Sequence, residues 1–250
     1  MPFLQWAFFV PGSDGTYSQN YQDTWVATVA QHNGWGEGSF FVDVGAYSGI
    51  WCSNTRLLEH HHGWTGACVE PYPAQFEERS CKLFKNAMSN TDGQIVNFGG
   101  SLQGRQITSV GKGEGDRSES KQSKKAASLQ SNERETLSFP TLLQESGAPP
   151  FVAFISLDIE GHELIALSAF PWDKHEVGVW IIEDKNRHHI GDGHTIKALL
   201  ESKGYIWRPV EAAGVDSYFV KDKFWDSSFL KKDVRKHPVM SSGTLFTSGC

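Results

Sequence analysis

The stretch FVDVGAYSG, residues 41–49, passes from an apolar run holding one acid into a bend with two glycines. The run reads as a buried strand. The residues after it, from Ile50 to His61, read as a helix with Ile50, Leu57 and Leu58 turned inward and Gly63 beyond its end. A strand that ends at Asp43-Val44-Gly45 and turns through Gly49 into a helix brings main-chain N–H groups against whatever lies over the strand tip. Bulky side chains at these positions would hold such a ligand away.

The alternation continues on both sides of this unit. Upstream, Ser18 is expected to cap a helix on which Trp25, Val26 and Val29 share a face and which Gly34 ends. Downstream, WTGACVEP (64–71) is a second strand stopped by Pro71, a helix is expected over residues 73–80, and KLFKNAM (82–88) is a third strand. DGQIVNF (92–98) adds a turn and an extended piece, and LSFPTLLQESG (137–147) a short helix. FVAFISLDIEG (151–161) is the most apolar strand, with HELIALSAF (162–170) as its helix and VGVWIIED (177–184) as the next strand. TIKALLESKG (195–204) is a helix closed by Gly204, before an antiparallel pair made of YIWRPV (205–210) and DSYFVKD (216–222). Strands alternating with helices imply an α/β fold with a largely parallel sheet covered on both faces. In such a sheet ligands lie at the carboxyl ends of the strands, near the point where strand order reverses.

With 250 residues, 39% of them apolar, the chain is expected to form one domain over 1–250. Residues 111–135 mix both charge signs without an aromatic or β-branched residue, and are expected to form a mobile surface insertion. A net charge of −6 with scattered basic residues leaves no electrostatic footprint for nucleic acid. The opening MPFLQWAFFV is too short to span a bilayer, so no membrane span is expected. Cys52, Cys68, Cys81 and Cys250 show neither a C-x-x-C pair nor zinc spacing, and read as buried thiols of a cytoplasmic protein. The tail from about Trp225 onward carries no pattern.

Glu70 ends the second strand 21 positions beyond Gly49, where nucleotide-binding α/β folds hold a ribose. Ala46 and Tyr47 follow Gly45 directly, so the glycine pattern lacks a pyrophosphate cradle. A ligand with a ribose and no phosphate fits, and S-adenosylmethionine is such a molecule. Ala87 and Met88, at the end of the third strand, can line an adenine pocket. The segment SLDIEGHE (156–163) brings Asp158, Glu160, His162 and Glu163 to the end of the most apolar strand. Asp158 with Glu183 or Asp184 offers oxygen ligands for a divalent cation such as Mg or Mn.

Four stretches, YSQNYQD (17–23), FFVDVGAYSGIWCSNTRLLE (40–59), GWTGACVEPYP (63–73) and ISLDIEGHE (155–163), resemble in order and spacing the FkbM-type methyltransferases, a group that uses S-adenosylmethionine. The resemblance covers roughly residues 17–220. It implies a class I methyltransferase (Rossmann-like) fold, with a seven-stranded, mostly parallel sheet and one antiparallel strand from the last hairpin. It places Asp43, Gly45, Ala46 and Gly49 around the methionine and ribose, Glu70 on the ribose hydroxyls, and Asp158 where cofactor and acceptor meet. Gln19, Gln22 and Asp23 belong to the leading motif and close over the cofactor, while Asn54 and Pro71 complete the expected cofactor-binding set. The implied acceptor is a small molecule or glycan, methylated at oxygen. The expected catalytic group is Asp158, His162 and Glu160, with Asp158 or His162 as the base. The competing expectation is a binding or scaffold module that keeps the fold without the chemistry.

Overall fold

The computed structural model describes residues 16–99, 106–110, 132–184, 192–210 and 214–226. Helix α1 (Gln22–Asn33) leads into β1 (Phe40–Val44), α2 (Arg56–His62) and β2 (Thr65–Val69). Short strands β3 (Lys82–Phe84) and β4 (Ala87–Ser89) follow, then β5 (Ile95–Gly99), β6 (Gln106–Val110) and β7 (Glu133–Ser138). Next come α3 (Phe139–Ser146), β8 (Phe151–Leu157), α4 (Glu163–Ser168), β9 (Glu176–Glu183) and α5 (Asp192–Ser202), and a hairpin of β10 (Tyr205–Arg208) and β11 (Asp216–Lys221) completes the order.

The main sheet runs β10-β11-β9-β8-β1-β2-β3. All its pairings are parallel except those of β11, which lies antiparallel to both β9 and β10. This is the seven-stranded, mostly parallel sheet that the resemblance implies. Strand order reverses between β1 and β8, because the chain leaves β1 outward through β2 and β3 before crossing back. A second sheet, β4-β7-β5-β6, stands beside the first.

Helices cover both faces of the main sheet. On one face Val42, Val44, Ile155, Leu157 and Trp180 pack with Leu142 and Leu143 of α3, Leu167 of α4 and Leu200 of α5. On the other, Phe41, Phe154 and Val179 pack with Trp25, Val26 and Val29 of α1 and Leu58 of α2. The period-2 alternation of β1 therefore sends Asp43 to the α2 side, where a helix end can meet it.

Several local expectations are corrected. The helix after β1 begins at Arg56, because the hydroxyls of Ser48 and Ser53 take the N–H groups of Ile50, Trp51, Thr55 and Arg56 into side-chain turns first. Leu57 and Leu58 are buried as expected, and Ile50 is only half-buried. Residues 73–80 form no helix. Ala74 instead makes an extended bridge to Ser48, donating its N–H to the Tyr47 carbonyl while its own carbonyl receives the Gly49 N–H. The third strand is two strands in different sheets, broken at Lys85 and Asn86. Ser18 stands ahead of the α1 cap position, which Tyr21 fills at φ 61°, yet its hydroxyl still accepts the Asp23 N–H.

Residues 133–135, expected in the mobile insertion, belong to β7, and residues 111–131 of that insertion lie outside the described residues, as do the first ten residues and the tail beyond residue 226. The cysteines overturn the free-thiol reading. Cys68 and Cys81 form a disulfide, Cys52 is also disulfide-bonded, and no cysteine among the described residues is free. Among the described residues no helix is long and apolar enough to cross a membrane.

Candidate active site

The carboxyl ends of β1, β2, β8 and β9 open into a cavity of about 440 Å³ at the point of strand reversal. One wall is main chain. Gly45 adopts φ 82°, and a Cβ there would lie 1.6 Å from the Asp158 carbonyl oxygen. Only glycine lets the tips of β1 and β8 approach this closely. The Asp158 N–H donates to the Val44 carbonyl at 2.9 Å and fixes the same junction from the other strand.

Glu70 is held from both sides. Its Oε2 accepts the Tyr47 N–H and its Oε1 the Tyr72 N–H, each at 2.8 Å. The carboxylate thus ties the end of β2 to the glycine turn and presents a fixed acidic group to the cavity. Asp43 is 2% exposed, and burial pushes its carboxyl up from the ordinary value, opposed by the Thr55 hydroxyl and the charge of Arg79. Thr55 Oγ1 donates to Asp43 Oδ2 at 2.7 Å, so this acid anchors the start of α2 while lining the cavity.

Gly45, Ala46, Asn54, Pro71, Ala87 and Met88 all line the cavity. The Asn54 amide nitrogen donates to Ser156 Oγ, and its buried Oδ1 has no hydrogen-bond partner on the protein. Gly49 does not line the cavity. It lies beneath the wall, where a Cβ would fall 2.3 Å from the Gln75 carbonyl oxygen and where its own carbonyl accepts from Arg56 and Arg79.

The leading motif divides into separate tasks. Gln19 reaches the cavity, whereas Asp23 is structural: its carboxylate accepts from Thr16, Tyr17 and Ser18 and organises the turn before α1. Gln22 also lines the cavity and donates to Asp216 Oδ2 at 2.7 Å.

At the β8 end the acids converge. Asp158, Glu160 and Glu183 each offer an oxygen within 4.8 Å of the others. Burial first, then repulsion from Glu183 and Asp216, holds the Asp158 carboxyl well above the ordinary carboxylate range, and a hydrogen bond joins it to Glu183. A carboxyl so raised keeps its proton to a higher pH than an exposed one. Asp184 does not join this group: it faces Ser217, and Glu160 takes the place expected for it. Glu160 sits at φ 60°, a left-handed conformation unusual for a residue with a side chain. The buried Glu163 holds that turn, its Oε1 accepting the N–H groups of Ile159 and Gly161. Burial lowers the His162 pKa, which keeps the imidazole neutral near pH 7.

Three lining residues had no signal in the sequence. Asp216 joins the acids because β11 pairs it directly with Glu183. Tyr72 and Phe98 meet edge to face at 5.6 Å, and the Arg134 guanidinium lies 3.9 Å over the Tyr72 ring. Tyr72 and Phe98 line the same cavity as Ala87 and Met88.

The model of the Methyltransferase FkbM domain matches residues 43–207, well over half of the chain. The chain belongs to the FkbM methyltransferase family. The matched span runs from the β1 acid to the first strand of the terminal hairpin and takes in the glycine turn, Glu70 and the acid group. No curated protein and no solved structure matches the chain. The sheet order, with its one antiparallel strand, is that of the Rossmann-like methyltransferase fold.

Proposed function

We propose that the chain is an S-adenosylmethionine-dependent O-methyltransferase that acts on a sugar, glycan or natural-product hydroxyl. The observation that carries the reading is Glu70, fixed by two main-chain N–H groups at the tip of β2 beside the glycine turn. An acid so placed accepts from the two hydroxyls of a ribose. Tyr72, Ala87 and Met88 offer a flat apolar slot on the adenine side, and Gly45 with Ala46 leaves main chain exposed to the methionine portion. Asn54 Oδ1, buried and unpaired, suits a donor such as the methionine ammonium.

Bound S-adenosylmethionine supplies an activated methyl group. The protein has two further tasks, alignment of the acceptor oxygen and removal of its proton. The Asp158 carboxyl, raised by burial and by its neighbour Glu183, is the group that takes the proton as the hydroxyl is alkylated, and His162 is an additional acceptor at the same rim. Glu160 orients the acceptor. A divalent cation such as Mg or Mn belongs to this reading only as an occupant of the Asp158, Glu160 and Glu183 oxygens, and added chelator tests it. A cytoplasmic setting loses its premise once Cys68 and Cys81 are bonded.

Calorimetric titration with S-adenosylhomocysteine tests the reading. Glu70→Ala is expected to weaken binding at least tenfold, roughly 1.4 kcal/mol. Equal affinity in the variant and the wild type would remove the nucleoside from this cavity. Transfer of labelled methyl from S-adenosylmethionine to neutral glycans then tests the acceptor class.

A further inference from the structure

The segment from Glu70 to Ser80 forms much of one cavity wall, since Glu70, Tyr72 and Ala74 all line it. Yet it contains no helix or ladder strand, and its one extended contact is the bridge from Ala74 to Ser48. A covalent bond closes it at the base. Cys68, two residues before Glu70 on β2, is bonded to Cys81, the residue before β3, across a sequence separation of 13. Cys68 is in register with Asp43 on β1, so the bond begins in the layer of the sheet that carries the site.

We propose that the Cys68–Cys81 disulfide is a positioning element of the cofactor cavity, holding Glu70 and Tyr72 against the glycine turn, and that the chain works in a compartment that keeps this bond oxidised. The proposal rests on the nucleoside reading above. Closing a loop this short removes most of the open conformations otherwise available to a wall without secondary structure. Cytosolic thiol pools would hold such a pair reduced, whereas secretory or other oxidising compartments preserve it.

Formation is a two-electron oxidation. Two cysteine thiols lose two protons and two electrons to the disulfide of a thiol–disulfide oxidoreductase or of glutathione, which becomes two thiols. In the reverse direction a dithiol reductant attacks the sulfur of Cys81, which is 8% exposed where Cys68 is fully buried. Cys68 leaves as a thiolate towards the Arg79 guanidinium, whose Nη2 lies 3.7 Å from its sulfur. The second thiol of the reductant then displaces Cys81. Both cysteines end as thiols and the reductant as a cyclic disulfide.

The experiment uses the full chain, isolated without reductant, and titrates it with S-adenosylhomocysteine before and after treatment with dithiothreitol, at a temperature where circular dichroism shows both forms folded. Reduction is expected to weaken binding at least tenfold, and reoxidation with glutathione disulfide to restore it. A purely structural bond would lower thermal stability and leave the affinity of the folded protein unchanged, which would overturn the proposal. So would mass spectrometry that finds Cys68 and Cys81 alkylated as free thiols in the native protein.

The double variant Cys68→Ser with Cys81→Ser is expected to bind as weakly as the reduced wild type, with or without dithiothreitol. If that variant does not fold, differential alkylation during stepwise reduction assigns the loss of affinity either to this pair or to the bond at Cys52, and loss that tracks Cys52 alone rejects the proposal. Should the oxidised protein fail to bind the nucleoside at all, the functional reading falls instead. Hydrogen exchange then decides the positioning role: the Tyr47 and Tyr72 amides must exchange faster after reduction, and unchanged protection would refute it.

Discussion

The carbonyl oxygen of Asp158 occupies the space that a side chain on Gly45 would need, so the acid end of the site and its glycine end are built in contact. This contact sets the distance between the two strands that flank the point of reversal. Gly45→Ala forces a side chain into a residue at φ 82° and onto a backbone atom that cannot rotate away. The expected loss is at least about 2 kcal/mol of stability, from left-handed strain together with displacement of β8. Chemical denaturation of the variant measures it, and a midpoint equal to that of the wild type would show that the strand tips are not in this contact.

Acidity at the rim makes a signed prediction about pH. Asp158 and Glu163 have native pKa values raised by burial, and in Asp158 also by Glu183 and Asp216. A carboxyl whose native pKa is raised binds its proton more tightly when folded. Its contribution to stability is complete below the ordinary value, 3.8 for Asp158, and is lost as pH rises through the native value. The thermal midpoint should therefore fall across that interval as pH increases. Asp158→Asn, neutral at every pH, should flatten the fall, leave the protein at least as stable at the alkaline end, and abolish methyl transfer. A pH profile as steep as that of the wild type would mean that other groups carry the slope.

Strain at Glu160 predicts a separation of stability from activity. The residue holds φ 60°, which costs about 1 kcal/mol for a side-chain-bearing residue and nothing for glycine. Glu160→Gly is expected to raise the unfolding free energy by about that amount and to lower methyl transfer, since the carboxylate leaves the rim. Urea unfolding with a radiolabel transfer assay reads both effects. A variant that is less stable would show that the Glu160 side chain supports the turn rather than straining it.

What the sequence disclosed and what it hid follow from the range of the interactions. The apolar run of β1, the glycine turn and Glu70 were legible because each is specified within a few residues, by alternation, by a required backbone angle, or by its distance from the turn. The acids of SLDIEGHE were legible for the same reason. Asp216 was not, because nothing local marks it; it matters only because β11 inserts between β9 and β10 and lays it opposite Glu183. The false helix over 73–80 has the same origin. Its residues permit a helix, and the bond between Ala74 and the turn of Tyr47 to Gly49, reached from a distant part of the chain, decides otherwise. The disulfide was missed because counting cysteines says nothing of strand neighbours, and it is the pairing of β2 with β3 that brings Cys68 and Cys81 together.

Arg79 is the clearest example of such a long-range residue, and it carries the last prediction. Its side chain, 1% exposed, pairs with the buried Glu59 at 2.9 Å and donates to Gly49, Ser53 and Thr55. Through Thr55 it reaches Asp43, and through Gly49 the floor of the glycine turn. Removing one partner of a buried ion pair leaves the other charge without compensation, a loss of about 3–5 kcal/mol. Arg79→Met should destabilise by that order and weaken nucleoside binding in whatever fraction stays folded, because Thr55 and the Gly49 carbonyl lose their common donor. Adding Glu59→Gln should recover part of the stability, since the stranded charge is gone, and none of the binding, since Thr55 and Ser53 still lack the Arg79 donor. Denaturation and calorimetry of the two variants separate these effects, and recovery of both together would show that Arg79 serves the ion pair alone.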